Sequence, residues 1–391
     1  MEIEFWWLLA LPFFFGLGWL AARIDIRQVV RESRALPQSY LTGLNFLLEE
    51  KPDKAIDAFI EAVRIDPQSI ELHFALGSLF RRRGETDRAI RLHQGLVQRE
   101  DISQEHRLQA LAALGQDYLR AGLLDRAEEA FIKLRGTVHD RVAIGHLLEI
   151  YQQEKDWGKA IDVANALPDH ESLHWRTEVS NFYCELATEA LADSRTEDAR
   201  SNIDKASAIN PRCVRASMLL GDWLAANGDD EGAIEAWKRV EQQDPVYLAL
   251  IAESIAAAYT RLGRVDQGQT LLRSWLSRHP AIDLLEQVYR WELDMRGAQS
   301  AYDLVREELR RNPTLLGLEK LLEAAALTAS AEQRADVDLV RQLIHNHTRR
   351  VARYACRSCG FKARKFQWRC PACGGWETYP PKRSEEFDLE P

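Results

Sequence analysis

Residues 214–247 read VRASMLLGDWLAANGDDEGAIEAWKRVEQQDPVY. Gly221 sits among apolar residues recurring at three- and four-residue intervals, so its missing side chain predicts a helix pressed closely against a neighbour. Gly228, within Asn-Gly-Asp-Asp, offers the left-handed cap that ends this helix, and Ala233 lets a second helix pack tightly. Trp237 is expected to fill the space between the two, and Pro245 forbids continuation. The stretch is therefore a helix, a turn, a second helix and a proline-marked exit.

The same cadence runs through most of the chain. Small residues at the register of Ala233 recur at Ala55, Ala89, Ala127, Ala160, Ala199, Gly268 and Ala301, with spacings from 33 to 39 residues. Twelve positions earlier stand Gly43, Gly77, Gly115 and Gly221; twelve positions later stand Pro67, Pro211, Pro245, Pro280 and Pro313. With Leu76, Gly77, Phe80 and Ala89 in one unit and Gly115, Tyr118, Ala127 and Phe131 in the next, the pattern resembles the tetratricopeptide repeat. About nine units are expected over residues 37–345, the last degenerate; Leu148 and Ala187 replace the expected glycine in the fourth and fifth. Stacked helical pairs bury a continuous core and present an extended recognition surface without chemistry of their own, so binding is the expected role. No H-E-x-x-H, glycine-rich phosphate loop or G-x-S-x-G elbow interrupts them, and no catalytic residue is assigned. Cys184 and Cys213 fall on repeat helices, where single thiols behave as small core residues.

Upstream lies MEIEFWWLLALPFFFGLGWLAARIDIR. Phe5 to Ala22 carry no charge, and as a helix they nearly match a hydrocarbon core of about 30 Å, so residues 1–22 are expected to be a transmembrane anchor. Trp6, Trp7 and Trp19 suit the two headgroup layers, while Glu2 and Glu4 at the start are wrong for a cleaved signal peptide. Pro12 would kink the span or ask for a helix partner. Arg23, Arg27, Arg31 and Arg34 make residues 23–36 a basic juxtamembrane segment, which resists translocation and places the bulk of the chain in the cytoplasm.

Downstream, residues 356–376 read CRSCGFKARKFQWRCPACGGW. Cys356, Cys359, Cys370 and Cys373 form two C-x-x-C pairs ten residues apart, a spacing suited to one tetrahedral metal ion. Gly360 and Gly374 follow the pairs and free backbone amides to turn toward the sulfurs. Two disulfides or two redox pairs are the alternatives; a cytoplasmic setting weighs against the first and the lack of a βαβ frame against the second. All-sulfur coordination suits iron or zinc equally. Tyr354, Phe361, Phe366, Trp368, Trp376 and Tyr379 are too few for an independent core, so metal binding is expected to supply most of this module's folding energy.

The knuckles C-R-S-C-G and C-P-A-C-G resemble the rubredoxin-type metal ribbon, here over residues 350–381 and followed by a flexible tail at 382–391. That resemblance favours iron, although the ten-residue spacer is much shorter than in rubredoxin electron carriers and argues against electron transfer.

The charge of −9 is unevenly spread: the basic and acidic residues of 1–36 cancel, residues 345–391 carry ten basic against five acidic, and the middle is therefore near −14. Eight basic and no acidic residues lie between Arg349 and Arg369, interleaved with aromatics. A nucleic-acid partner is disfavoured by the tether and by the acidic body, and docking of the ribbon on the chain's own repeats or on a protein is preferred. Four of the six cysteines lie in the ribbon, unlike an extracellular disulfide framework.

The reading is an all-α superhelical solenoid of tetratricopeptide repeats, with an N-terminal transmembrane helix and a small C-terminal metal ribbon. This order of parts over the whole chain resembles the lipopolysaccharide assembly protein B family. The resemblance implies a single-pass protein of the bacterial inner membrane, with partners in the FtsH protease, the deacetylase LpxC and inner-membrane lipopolysaccharide regulators. It implies an adaptor that promotes FtsH-mediated proteolysis of LpxC, in which the repeats with the ribbon present the substrate. Apart from the resemblance, the ribbon is expected as a structural clip closing one end of the stack. A general scaffold for envelope-synthesis enzymes and an iron-sensing redox module are the alternatives.

Overall fold

The computed structural model describes residues 12–16, 18–19, 38–167, 172–351 and 354–381. The anchor expected over residues 1–22 and the basic segment 23–36 lie largely or wholly outside these, as does the tail 382–391. Residues 12–16 and 18–19 are helical, and no helix among the described residues is long and apolar enough to cross a membrane.

The chain divides into two compact units after Glu154. The first holds helices α1 (Gln38–Leu48), α2 (Pro52–Ile65), α3 (Ile70–Arg83), α4 (Thr86–Gln98), α5 (Gln104–Arg120), α6 (Leu124–Lys133) and α7 (Asp140–Glu154). The second holds α8 (Trp157–Asn165), α9 (Leu173–Ala192), α10 (Thr196–Ile209), α11 (Val214–Ala226), α12 (Asp230–Gln243), α13 (Leu248–Arg261), α14 (Val265–Arg278), α15 (Ile282–Arg296), α16 (Ala298–Arg311), α17 (Leu315–Thr328) and α18 (Ala331–Val351). Two short strands, β1 (Tyr354–Ala355) and β2 (Lys362–Ala363), follow.

Local chemistry sets the boundaries. Helix α11 stops at Asn227, and Gly228 turns the chain with φ +83°. The Asp229 carboxylate accepts from the Gly232 N–H at 2.9 Å and opens α12, whose first turn carries Asp230 and Glu231 against the positive end of the helix dipole. Helix α12 then ends two residues before Pro245, which starts a single 3-10 turn.

Packing within a pair follows a rule of sixteen residues. Each repeat glycine faces the ring of a residue sixteen positions on: Gly43 faces Phe59, Gly77 faces His93, Gly115 faces Phe131 and Gly221 faces Trp237. A methyl group on Gly43 would lie 2.7 Å from Phe59, and one on Gly115 would lie 2.9 Å from Phe131, inside van der Waals contact. Where the glycine is lost, the partner shrinks: Ala187 meets Ile203, and Ala256 shares a core with Leu272. Volume is conserved across the contact, which explains how the fifth pair keeps the repeat without its glycine.

In the first unit, Ile56, Phe59, Leu72, Leu76, Leu79 and Phe80 make one core. In the second, the large core runs from Val214 to Ala324 around the fully buried Trp237, Trp275 and Tyr289. Cys184 and Cys213 are both buried, with sulfurs 3.9 Å apart and no disulfide.

Candidate metal centre and its seat on the repeats

The ribbon is two copies of one turn. In the first, the Cys356 N–H donates to the Phe361 carbonyl and the Gly360 N–H to the Cys356 carbonyl, each at 2.9 Å. In the second, Cys370 donates to Gly375 and Gly374 to Cys370, again at 2.9 Å. Gly360 and Gly374 both have φ +73°, a conformation that closes each knuckle and that L side chains resist. Strands β1 and β2 pair antiparallel below the first knuckle, Tyr354 opposite Ala363, and an Arg369–Trp376 bridge repeats the arrangement below the second.

These turns bring together all four cysteines expected to be ligands. Their sulfurs lie within 4.8 Å of one another, with Cys356 to Cys373 at 3.8 Å and Cys359 to Cys370 at 3.7 Å. Four sulfurs about 2.3 Å from a central ion stand about 3.8 Å apart at the corners of a tetrahedron, so the gap is ion-sized. It is nearly twice a disulfide length of about 2.05 Å. The donor set therefore fits one tetrahedral zinc or iron ion, and nothing in four equivalent sulfurs selects between the two.

Polar groups favour the thiolate form at Cys356, one of the two buried members. Burial pushes the Cys356 thiol up, but the Thr378 hydroxyl and the backbone N–H groups of Cys359 and Ser358 outweigh it and bring the pKa down to about 6. Cys359 receives a bond from the Phe361 N–H, yet burial and the neighbouring thiols, led by Cys356, push it up to about 12. A cation at the centre removes this competition, because all four sulfurs then face one positive charge.

The ribbon is seated on the repeats of its own unit. Trp376 meets Phe182 and Trp157 edge-on, at centroid distances of 6.1 and 5.9 Å. Trp368 stacks on Tyr247 at 5.2 Å. Between the two tryptophans the Arg215 guanidinium lies 5.5 Å from one ring and 5.9 Å from the other, and it pairs with Glu185 at 2.7 Å. Glu377 fixes the contact: Asn181 donates to its carboxylate at 2.8 Å and the Tyr247 hydroxyl to its carbonyl at 3.4 Å. Its backbone is left-handed, φ +55°, and its N–H donates to the Trp368 carbonyl at 3.0 Å, so one strained residue joins knuckle and repeat.

The seat is made by α8, α9, α11 and the turn before α13. The ribbon thus lies against helices in the middle of the repeat sequence, where a clip at the end of the stack was expected. The repeat register gives little sign of the seat. Asn181 and Arg215 stand six positions before the glycine register, at Ala187 and Gly221, in successive repeats, and both are buried. Glu71 and Gln109 hold the same register in the first unit, so polarity there does not single out the seat.

Residues 354–381 match a family described as the rubredoxin metal binding domain, and residues 72–104 and 184–247 match the tetratricopeptide repeat. Over 380 residues the chain is 35% identical to a lipopolysaccharide assembly protein B of Escherichia coli strain K12, covering 96% of this chain and 97% of that one. Over 393 residues it is 30% identical to a lipopolysaccharide assembly protein B of Haemophilus influenzae, covering 97% and 98%.

Proposed function

The chain belongs to the lipopolysaccharide assembly protein B family, and from that membership we propose that it is a non-enzymatic adaptor restraining lipopolysaccharide synthesis at the bacterial inner membrane. It promotes degradation of LpxC by the membrane protease FtsH. Residues 1–22 anchor it by a single pass and meet the protease or an inner-membrane regulator, while the repeats, facing the cytoplasm, hold the client.

One observation supports this reading: the ribbon is fastened to the repeats through Glu377, Trp368 and Trp376, on Asn181, Tyr247 and Phe182. Helical repeats supply a surface for proteins, and a ribbon fastened to that surface gives it a fixed shape. Cys356, Cys359, Cys370 and Cys373 hold one iron or zinc ion whose work is structural, locking the two knuckles that carry the docking aromatics. A tether beside a membrane protease raises the local client concentration toward about millimolar, so modest affinity in the repeats suffices.

Exchanging residues 5–22 for an unrelated transmembrane helix tests the division of labour. The exchanged protein stays in the membrane fraction, and pulse-chase labelling finds LpxC long-lived. Rapid LpxC turnover with the foreign helix contradicts a specific role for the anchor.

A further inference from the structure

The second repeat of the first unit departs from its siblings at two positions on one helix. Two residues after the packing alanine, most other repeats carry acids: Asp57, Glu129, Asp162, Glu235 and Asp303. Here stands Arg91, exposed and without an ion pair or hydrogen bond among the described residues. Six residues after the alanine, most of the others carry a charged side chain, among them Glu61, Lys133, Lys205, Arg239 and Glu307. Here stands Gly95, in the interior of α4, where glycine weakens a helix and where a methyl group would meet nothing within 4 Å. Neither the backbone nor close packing asks for this glycine, unlike Gly77 or Gly115.

What its absent side chain leaves is space. Gly95 and Arg91 line a cavity of about 750 Å³ whose apolar wall is Val63, Phe80, Leu92 and Leu96. Arg88 and Arg99 stand at the same cavity. Both are partly committed: Arg88 lies over the Phe80 ring at 4.0 Å and pairs with Glu85, and Arg99 pairs with Asp101 and donates to Gln68 at 2.7 Å. Arg91 is the uncommitted cation of the set.

We infer that this cavity is a docking site for an acidic peptide segment of a partner protein, with an apolar side chain seated over Gly95 and a flanking carboxylate on Arg91. The charge reversal against a mostly acidic register selects an anion. The apolar wall selects a peptide over a bare phosphate, which gains nothing from Leu92 and Leu96. The site is walled by α2, α3 and α4, shares no residue with the ribbon seat, and does not depend on which client the adaptor carries.

The test is selection from a random heptapeptide library on the full chain in detergent, followed by titration of the enriched peptides. The expected consensus has an apolar residue flanked by at least two carboxylates. Gly95→Met, which puts a side chain into the cavity, and Arg91→Glu, which restores the sibling charge, each weaken binding at least tenfold without lowering the melting temperature. Gly95→Ala serves as the check on folding, since it fits the helix and trims the cavity least. No enrichment, a basic or uncharged consensus, binding of inorganic phosphate alone, or equal affinity in Arg91→Glu would overturn the site.

Discussion

Trp368 of the ribbon lies flat on Tyr247 of the repeats, their planes 5° apart and their centroids 5.2 Å apart. Sequence places them 121 residues from one another, and the stack makes the metal site and the helices one mechanical body. Trp368→Ala removes this contact and one wall of the Arg215 sandwich. The expected cost is about 2–3 kcal/mol in chemical denaturation, with faster amide exchange in residues 354–381 than in α9. Unchanged exchange in the ribbon would show that the stack contributes nothing to docking.

Metal loss should undo the ribbon before the repeats. Structural zinc sites contribute on the order of 10 kcal/mol to folding, far more than the few apolar side chains of this module. Purified protein should hold about one ion per chain by elemental analysis, as a closed tetrahedral site with four protein ligands requires. Chelation, or Cys356→Ser with Cys370→Ser, should expose Tyr379 and Trp376, now buried, and red-shift tryptophan emission while helical circular dichroism persists. Retained emission in the double variant would remove the ion from the account.

The seat also carries a pH dependence of definite sign. Burial raises the Glu178 carboxyl to about 7 against Arg369, which lowers it, and Glu377, which raises it; burial likewise raises Glu377. An acid whose folded pKa lies above its unfolded value binds more protons when folded, so its favourable contribution is complete below about 4.5 and is lost as pH rises through about 7. Docking should therefore weaken from about pH 6 to about pH 8, by an amount on the order of 1 kcal/mol. Glu178→Gln should flatten the profile in that window; an unaltered slope would assign it to other groups.

Glycines at different registers should respond oppositely to the same methyl. Gly221→Ala drives a Cβ into the Trp237 ring and should cost about 1–3 kcal/mol. Gly95→Ala meets open space and should be neutral or stabilising by up to about 1 kcal/mol. Thermal denaturation of the two variants side by side separates packing from propensity.

Much of this was legible in sequence because it is local or periodic. Gly228 and Pro245 mark their own boundaries, and the repeat register places Gly221 against Trp237 without reference to distant residues. The four cysteines are likewise legible, since two short turns bring them together. The seat was not. The bond from Asn181 to Glu377 spans 196 positions, and its energy comes from desolvated aromatics and one buried carboxylate that no period announces. His93 is a second case: it replaces the usual aromatic against Gly77 and is held by Asp117, which also takes Arg81 at 2.7 Å. Only the folded contact shows why a histidine serves there.

The most direct test of the proposed adaptor role is reconstitution of the chain with FtsH and LpxC in proteoliposomes, following LpxC by gel over time. The account predicts that the chain accelerates LpxC loss, survives intact itself, leaves LpxC unaltered when FtsH is omitted, and loses the effect when Cys356 and Cys370 are replaced by serine. LpxC loss at the same rate with and without the chain, or chemical alteration of LpxC by the chain alone, would contradict it.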